Sequence, residues 1–80
     1  MKNVVTLAQC QPGDRLRVVG YLGHDVAYRQ QLLVMGLLVR SEFTVIRRAP
    51  LRDPIEIDIN GTLLCLRHQE AACLQLEKCE

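Results

Sequence analysis

The alternation of apolar and polar residues is clearest from Ile55 to Asn60, where Ile55, Ile57 and Ile59 interleave with Glu56, Asp58 and Asn60. A period of two puts one face on a core and the other toward water, which predicts a half-buried antiparallel strand. Similar reasoning gives a first strand from Arg15 to Leu22, with Leu16 and Val18 on one face and Arg15, Arg17, Val19 and Tyr21 on the other. Gly20 marks a bulge or bend in it. The β-branched and aromatic stretch around Phe43 to Ile46 predicts a strand from about Ser41 to Arg48. Asn60-Gly61 is the dipeptide preferred by two-residue type I′ hairpins, so a further strand must begin at Thr62. There Thr62, Leu64 and Leu66 alternate with Leu63, Cys65 and Arg67; both faces are rather apolar, and a central place in the sheet is expected.

The spacing changes to that of a helix between Asp25 and about Met35. Asp25 can cap the first turn, Tyr28, Leu32 and Met35 recur at i, i+4 and i+7 beside Leu33, and Gly36 stands where a left-handed C-cap is expected. These four apolar side chains read as core packing. Shorter signals complete the outline. Thr6 precedes a single helical turn with Gln9 at the capping-box position, and Pro12-Gly13-Asp14 breaks it. His68 to Ala72 predicts one more turn, Leu74 and Leu76 a short closing strand, and Glu77-Lys78-Cys79-Glu80 a fraying tail. Five short strands with one inserted helix imply a mainly β fold, a small sheet closed into a barrel that removes its own edges.

Eighty residues allow one domain with a thin core and no deep cleft. Ten basic against nine acidic side chains leave a net charge of +1, which gives no basic excess for a nucleic-acid surface. Eight of the ten cations are arginine, the side chain suited to forked contacts with a protein partner. The start of the chain has no signal-peptide pattern, and the longest apolar run, Leu32 to Val39, is too short to span a bilayer. The expectation is therefore a cytoplasmic protein with reduced cysteines that meets a membrane only through a partner.

Candidate chemistry is sparse. Cys65 and His68 have C-x-x-H spacing, but no second paired element joins Cys10, Cys73, Cys79 or His24 to them, so no metal or cofactor site is expected. Glu56 and Asp58 form an acidic strand face whose simpler role is pairing with Arg17, Arg47 or Arg67 on neighbouring strands. No serine, histidine and acid set and no phosphate-cradling glycine loop is present, so an enzyme is not expected.

Two features point to recognition instead. The connection Ala49-Pro50-Leu51-Arg52-Asp53-Pro54 is stiffened by two prolines, which suits a rigid scaffold link as well as a contact loop with Leu51 and Arg52 at its tip, and Leu37-Leu38-Val39 places three apolar residues beyond the helix cap, which predicts an exposed hydrophobic patch. Weak self-association through that patch is a further expectation.

Taken together, Tyr28 to Leu37, then Phe43 to Ile57 with its Ala49-Pro50-Leu51-Arg52-Asp53-Pro54-Ile55 core, then Leu64-Cys65-Leu66-Arg67, resemble the FeoA family of bacterial ferrous iron transport. The resemblance covers about Gly13 to Leu76. It implies an SH3-like barrel and a protein partner, the FeoB-like membrane transporter with its GTP-binding domain. It places the partner-binding residues at Leu37, Leu38, Val39, Arg40, Leu51, Arg52, Asp53 and Pro54. Two departures stand out: Val39-Arg40 where the family usually has Pro-Gly, and Arg52 where it usually has Gly. The alternative is an accessory domain in transcription or metal sensing, because SH3-like domains resembling FeoA also occur at the ends of metal-dependent repressors.

Overall fold

In a computed structural model of the chain, residues 4–23, 26–48 and 54–79 are described. Six strands form one antiparallel sheet: β1 (Val4–Val5), β2 (Arg15–Tyr21), β3 (Glu42–Arg48), β4 (Ile55–Ile59), β5 (Thr62–Leu66) and β6 (Leu74–Lys78). Their spatial order is β1-β6-β2-β3-β4-β5. Helix α1 (Val26–Val34) lies between β2 and β3, and a single turn, α2 (His68–Ala71), lies between β5 and β6. The strand count exceeds the expected five by β1, a two-residue element too short to show a period.

The alternation in the sequence is the alternation in the sheet. Leu16, Val18, Phe43, Val45, Ile55, Ile57, Ile59, Leu66, Leu74 and Leu76 all face one core, joined there by Leu7, Cys10, Leu32, Leu37 and Ala71. The sheet curls around that core. Arg48 at the end of β3 reaches across to donate from Nη2 to the Leu7 carbonyl at 2.9 Å, and Leu7 shares a hollow with Ile55 and Ala71.

Three local expectations are met with their geometry. Asn60 and Gly61 both have positive φ, 54° and 83°, as a type I′ hairpin requires, and Ile59 pairs with Thr62 across it. The register of β2 against β6 shifts between Val18 and Gly20, the bulge that Gly20 signalled. At the end of α1, Gly36 has φ 92°, its N–H meets the Leu33 carbonyl, and the Leu37 N–H meets the Leu32 carbonyl. That pair of bonds is a Schellman cap. The Asp25 cap lies outside the described residues.

Four expectations are corrected. β5 is an edge strand and not a central one: it pairs only with β4 among the described strands, and Leu63 is 60% exposed. Its apolar outer face misled the period reading. The tail does not fray through its first residues, since Glu77 and Lys78 belong to β6 and Glu77 is buried. A salt bridge to Arg17 compensates the buried carboxylate. Of the four apolar residues assigned to the helix core face, Leu32 is buried and Met35 is half-buried against the core, while Leu33 is exposed. Arg17 does not pair with the acidic face of β4; it turns to Glu42 and Glu77, and of the named pairs only Arg47 with Glu56 forms, at 3.6 Å. The carboxylate of Asp58 instead accepts from the Gly61 N–H and braces the hairpin.

Candidate functional site

The connection from α1 to β3, Gly36 to Ser41, contains half of the expected partner-binding residues. Leu37 is not part of an exposed patch, because the Schellman cap folds it back into the core, where its relative exposure is 0%. Capping and burial act together here: the second residue past the helix end is turned inward against the apolar face it has just left. Leu38 and Val39 do face outward, at 51% and 50% exposure, and Arg40 is exposed beside them. Just before the cap, Leu33 is also exposed and Val34 is 88% exposed. Four of the seven residues from Leu33 to Val39 therefore show apolar side chains to solvent.

This connection is held rigidly although it lacks regular structure. The Ser41 N–H donates to the Leu38 carbonyl at 2.9 Å, closing a four-residue turn, and the Leu38 N–H donates to Ser41 Oγ. Ser41 Oγ donates in turn to the Gly36 carbonyl at 3.2 Å, and the Tyr21 hydroxyl donates to the Leu37 carbonyl at 2.6 Å. Two bonds fasten the turn to β2: the Arg40 N–H donates to the Val18 carbonyl at 2.7 Å and the Val18 N–H to the Ser41 carbonyl at 2.8 Å. Few degrees of freedom remain to be lost when a partner binds.

Within the turn Arg40 occupies the third position with φ 79°. That is the position at which a type II turn demands positive φ and at which glycine is usual. A side chain there clashes with its own backbone at a cost of about 1–2 kcal/mol. The departure from Pro-Gly seen in the sequence thus leaves the turn in place and adds strain to it.

Beside the turn, the outer faces of β3, β2 and β6 carry a row of charges. Glu42, Arg17 and Glu77 are cross-strand neighbours, Arg17 opposite Glu42 on one side and opposite Glu77 on the other. The Arg17 guanidinium donates to Glu77 Oε1 at 2.8 Å and to Glu42 Oε2 at 3.1 Å, and Arg15 adds a 3.0 Å bond to Glu42 Oε1. Hydrogen bonds from Arg15 and then Arg17 hold Glu42 below the ordinary glutamate range, while bonds to Glu42 and Glu77 hold Arg17 protonated above its own. Arg17, Val18, Val19, Val39, Arg40, Glu42 and Glu77 line a hollow of about 410 Å³. Val39 and Arg40 bring the turn into the wall of this hollow, beside the ion row.

Of the other half of the expected surface, only Pro54 is among the described residues. Leu51, Arg52 and Asp53 lie outside the described residues. Pro54 lines a different hollow, between Tyr28, Gln31 and Met35 on one side and Cys65, Arg67 and Gln69 on the other, and shares no lining residue with the first. Tyr21, Ser41 and the Glu42, Arg17, Glu77 row were not singled out from sequence. Their roles depend on which strands become neighbours, and no local spacing carries that.

Among the described residues, no three His, Cys, Asp or Glu side chains stand together as a metal site. Cys65 and His68 are both exposed, and Cys10 is buried with its thiol pKa pushed up, first by desolvation and then by Asp14. Raising that pKa disfavours the thiolate a metal needs. No helix among the described residues is long and apolar enough to cross a membrane.

Comparison with known proteins agrees with this architecture. The family model of the FeoA domain matches residues 5–78. A Porphyromonas gingivalis protein described as an Fe(2+) transport protein A/Fe(2+) transporter FeoB fusion is 34% identical over 71 residues, covering 89% of this chain and 8% of that protein. The chain thus spans a small fraction of that relative. A crystal structure of an iron uptake regulatory protein, FeoA, superposes with a TM-score of 0.85 at 31% identity, covering 96% of this chain and 100% of the other. A manganese-dependent transcriptional repressor superposes with a TM-score of 0.88 over 99% of this chain and 38% of its own, at 18% identity, a likeness of fold alone.

Proposed function

Because the chain belongs to the FeoA family, we propose that it is a small accessory protein of bacterial ferrous iron uptake that docks in the cytoplasm on a FeoB-like GTP-binding membrane transporter. The observation that carries this reading is the fusion of the two named parts, transport protein A and FeoB, in the Porphyromonas gingivalis relative. Fusing two modules replaces a bimolecular encounter by an intramolecular one, which serves parts that act together. The 38–40 turn supports docking over chemistry. It is rigid and exposes Leu38, Val39 and Arg40 side by side, as a recognition surface needs. The proline loop with Leu51, Arg52, Asp53 and Pro54 is kept as a second contact, to be tested separately by Leu51→Asp.

The test is uptake of radioactive ferrous iron in a strain lacking this chain, complemented with wild type or with the double variant Leu38→Asp/Val39→Asp. Both sites are exposed, and surface changes of this kind alter stability by only about 0.5 kcal/mol. Wild type is expected to restore uptake and the double variant to fail, with transporter transcript constant in all strains. A changed transcript level would favour the alternative role in transcription, and equal rescue by the double variant would remove this turn from the docking surface.

A further inference from the structure

A Pro-Gly pair would make the 38–41 turn without strain, yet this chain places Arg40 at the positive-φ position and holds it there by a bond to Val18. Strain kept in place by its surroundings is a reason to ask what the side chain does. Electrostatics supply an answer. Around the hollow, Arg15 and Arg17 balance Glu42 and Glu77, and each of those four charges has a partner across the strands. Arg40 makes no ion pair among the described residues and is the unbalanced cation of the wall. Next to it stand the aliphatic side chains of Val19 and Val39.

We infer that this hollow is a carboxylate-reading site: it takes one acidic side chain of an extended, aliphatic segment of the partner protein, with the carboxylate on the Arg40 guanidinium and the apolar neighbours against Val19 and Val39. A planar guanidinium with paired donors matches a carboxylate in two parallel hydrogen bonds. The remaining charges limit what fits. Glu42 and Glu77 border the same hollow, so a polyanion such as nucleic acid would meet two carboxylates along with Arg40. A single carboxylate set in an apolar segment brings one negative charge where a polyanion brings several, and so meets less of that repulsion. This inference rests on the docking reading above and deepens it from a surface to the chemistry of the segment bound.

Because Arg40→Gly removes the guanidinium and relieves the strain together, it separates recognition from folding. The probe is the soluble cytosolic domain of the FeoB-like transporter from the same genome, titrated with wild type, Arg40→Gly and Arg40→Lys at low and physiological salt. Arg40→Gly is expected to melt about 4–8 °C higher. It is also expected to bind roughly tenfold or more weakly, the worth of a charge-assisted hydrogen bond, with a flatter salt dependence. Arg40→Lys should fall between the two, keeping the charge and losing the fork. Equal binding by wild type and Arg40→Gly would overturn the inference and leave the docking reading standing. No binding by wild type would overturn both, and a lower melting temperature for Arg40→Gly would show that Arg40 serves the fold and overturn the inference.

Discussion

Single side chains decide how firmly the candidate surface is held. Tyr21 joins β2 to the turn through its 2.6 Å bond to the Leu37 carbonyl, and Arg29 lies over its ring with 5.7 Å to the centroid. Tyr21→Phe keeps the ring and deletes the bond, leaving a carbonyl of a buried residue without that donor. The expected cost is about 1–2 kcal/mol, read as a lower urea midpoint with an unchanged slope. Glu42 gives a pH signature. Its folded pKa is held below the ordinary value of 4.5 by hydrogen bonds from Arg15 and then Arg17. Its contribution to stability is therefore complete above that ordinary value and is lost as pH falls through the lower folded value. Melting temperature measured down the acid side should fall for wild type, and Glu42→Gln should show a shallower fall. Identical acid profiles would mean that Glu42 carries none of the effect.

At the scale of elements, two turns show the same backbone demand met by different residues. Asn60-Gly61 announces its hairpin because these residues tolerate positive φ, whereas Val39-Arg40 hides a turn of similar demand. The second bulge, where β3 shifts register against β4 between Val45 and Arg47, carries no glycine and was invisible for the same reason. Strand faces were legible wherever one side was polar, as in β4. They were misleading in β5, whose outward Leu63 made an edge look like a centre. An edge strand presenting an apolar side chain is open to pairing with other chains. Leu63→Lys should leave the urea midpoint within about 0.5 kcal/mol of wild type and reduce light scattering on concentration. A large loss of stability would instead mean that Leu63 is packed. The candidate site was half legible: the exposed Leu38 and Val39 followed from apolar residues beyond a cap, with Arg40 as their neighbour in the chain. The inward turn of Leu37 needed the Schellman geometry, and the ion row needed knowledge of which strands are neighbours.

For the whole molecule, an SH3-like sheet curled around one core leaves function to its surface, and the proposed function sets that surface in ferrous iron transport. The central claim is that the rigid segment from Leu33 to Ser41 is where a FeoB-like transporter is met. It is tested most directly by recording amide chemical shifts of the isotope-labelled chain during titration with the transporter's soluble cytosolic domain. The account predicts perturbations concentrated at Leu33 to Ser41 and at Val18 and Val19 of the facing strand. Saturable shifts confined to the other hollow, around Gln31, Cys65 and Gln69, or no shifts at all, would contradict it.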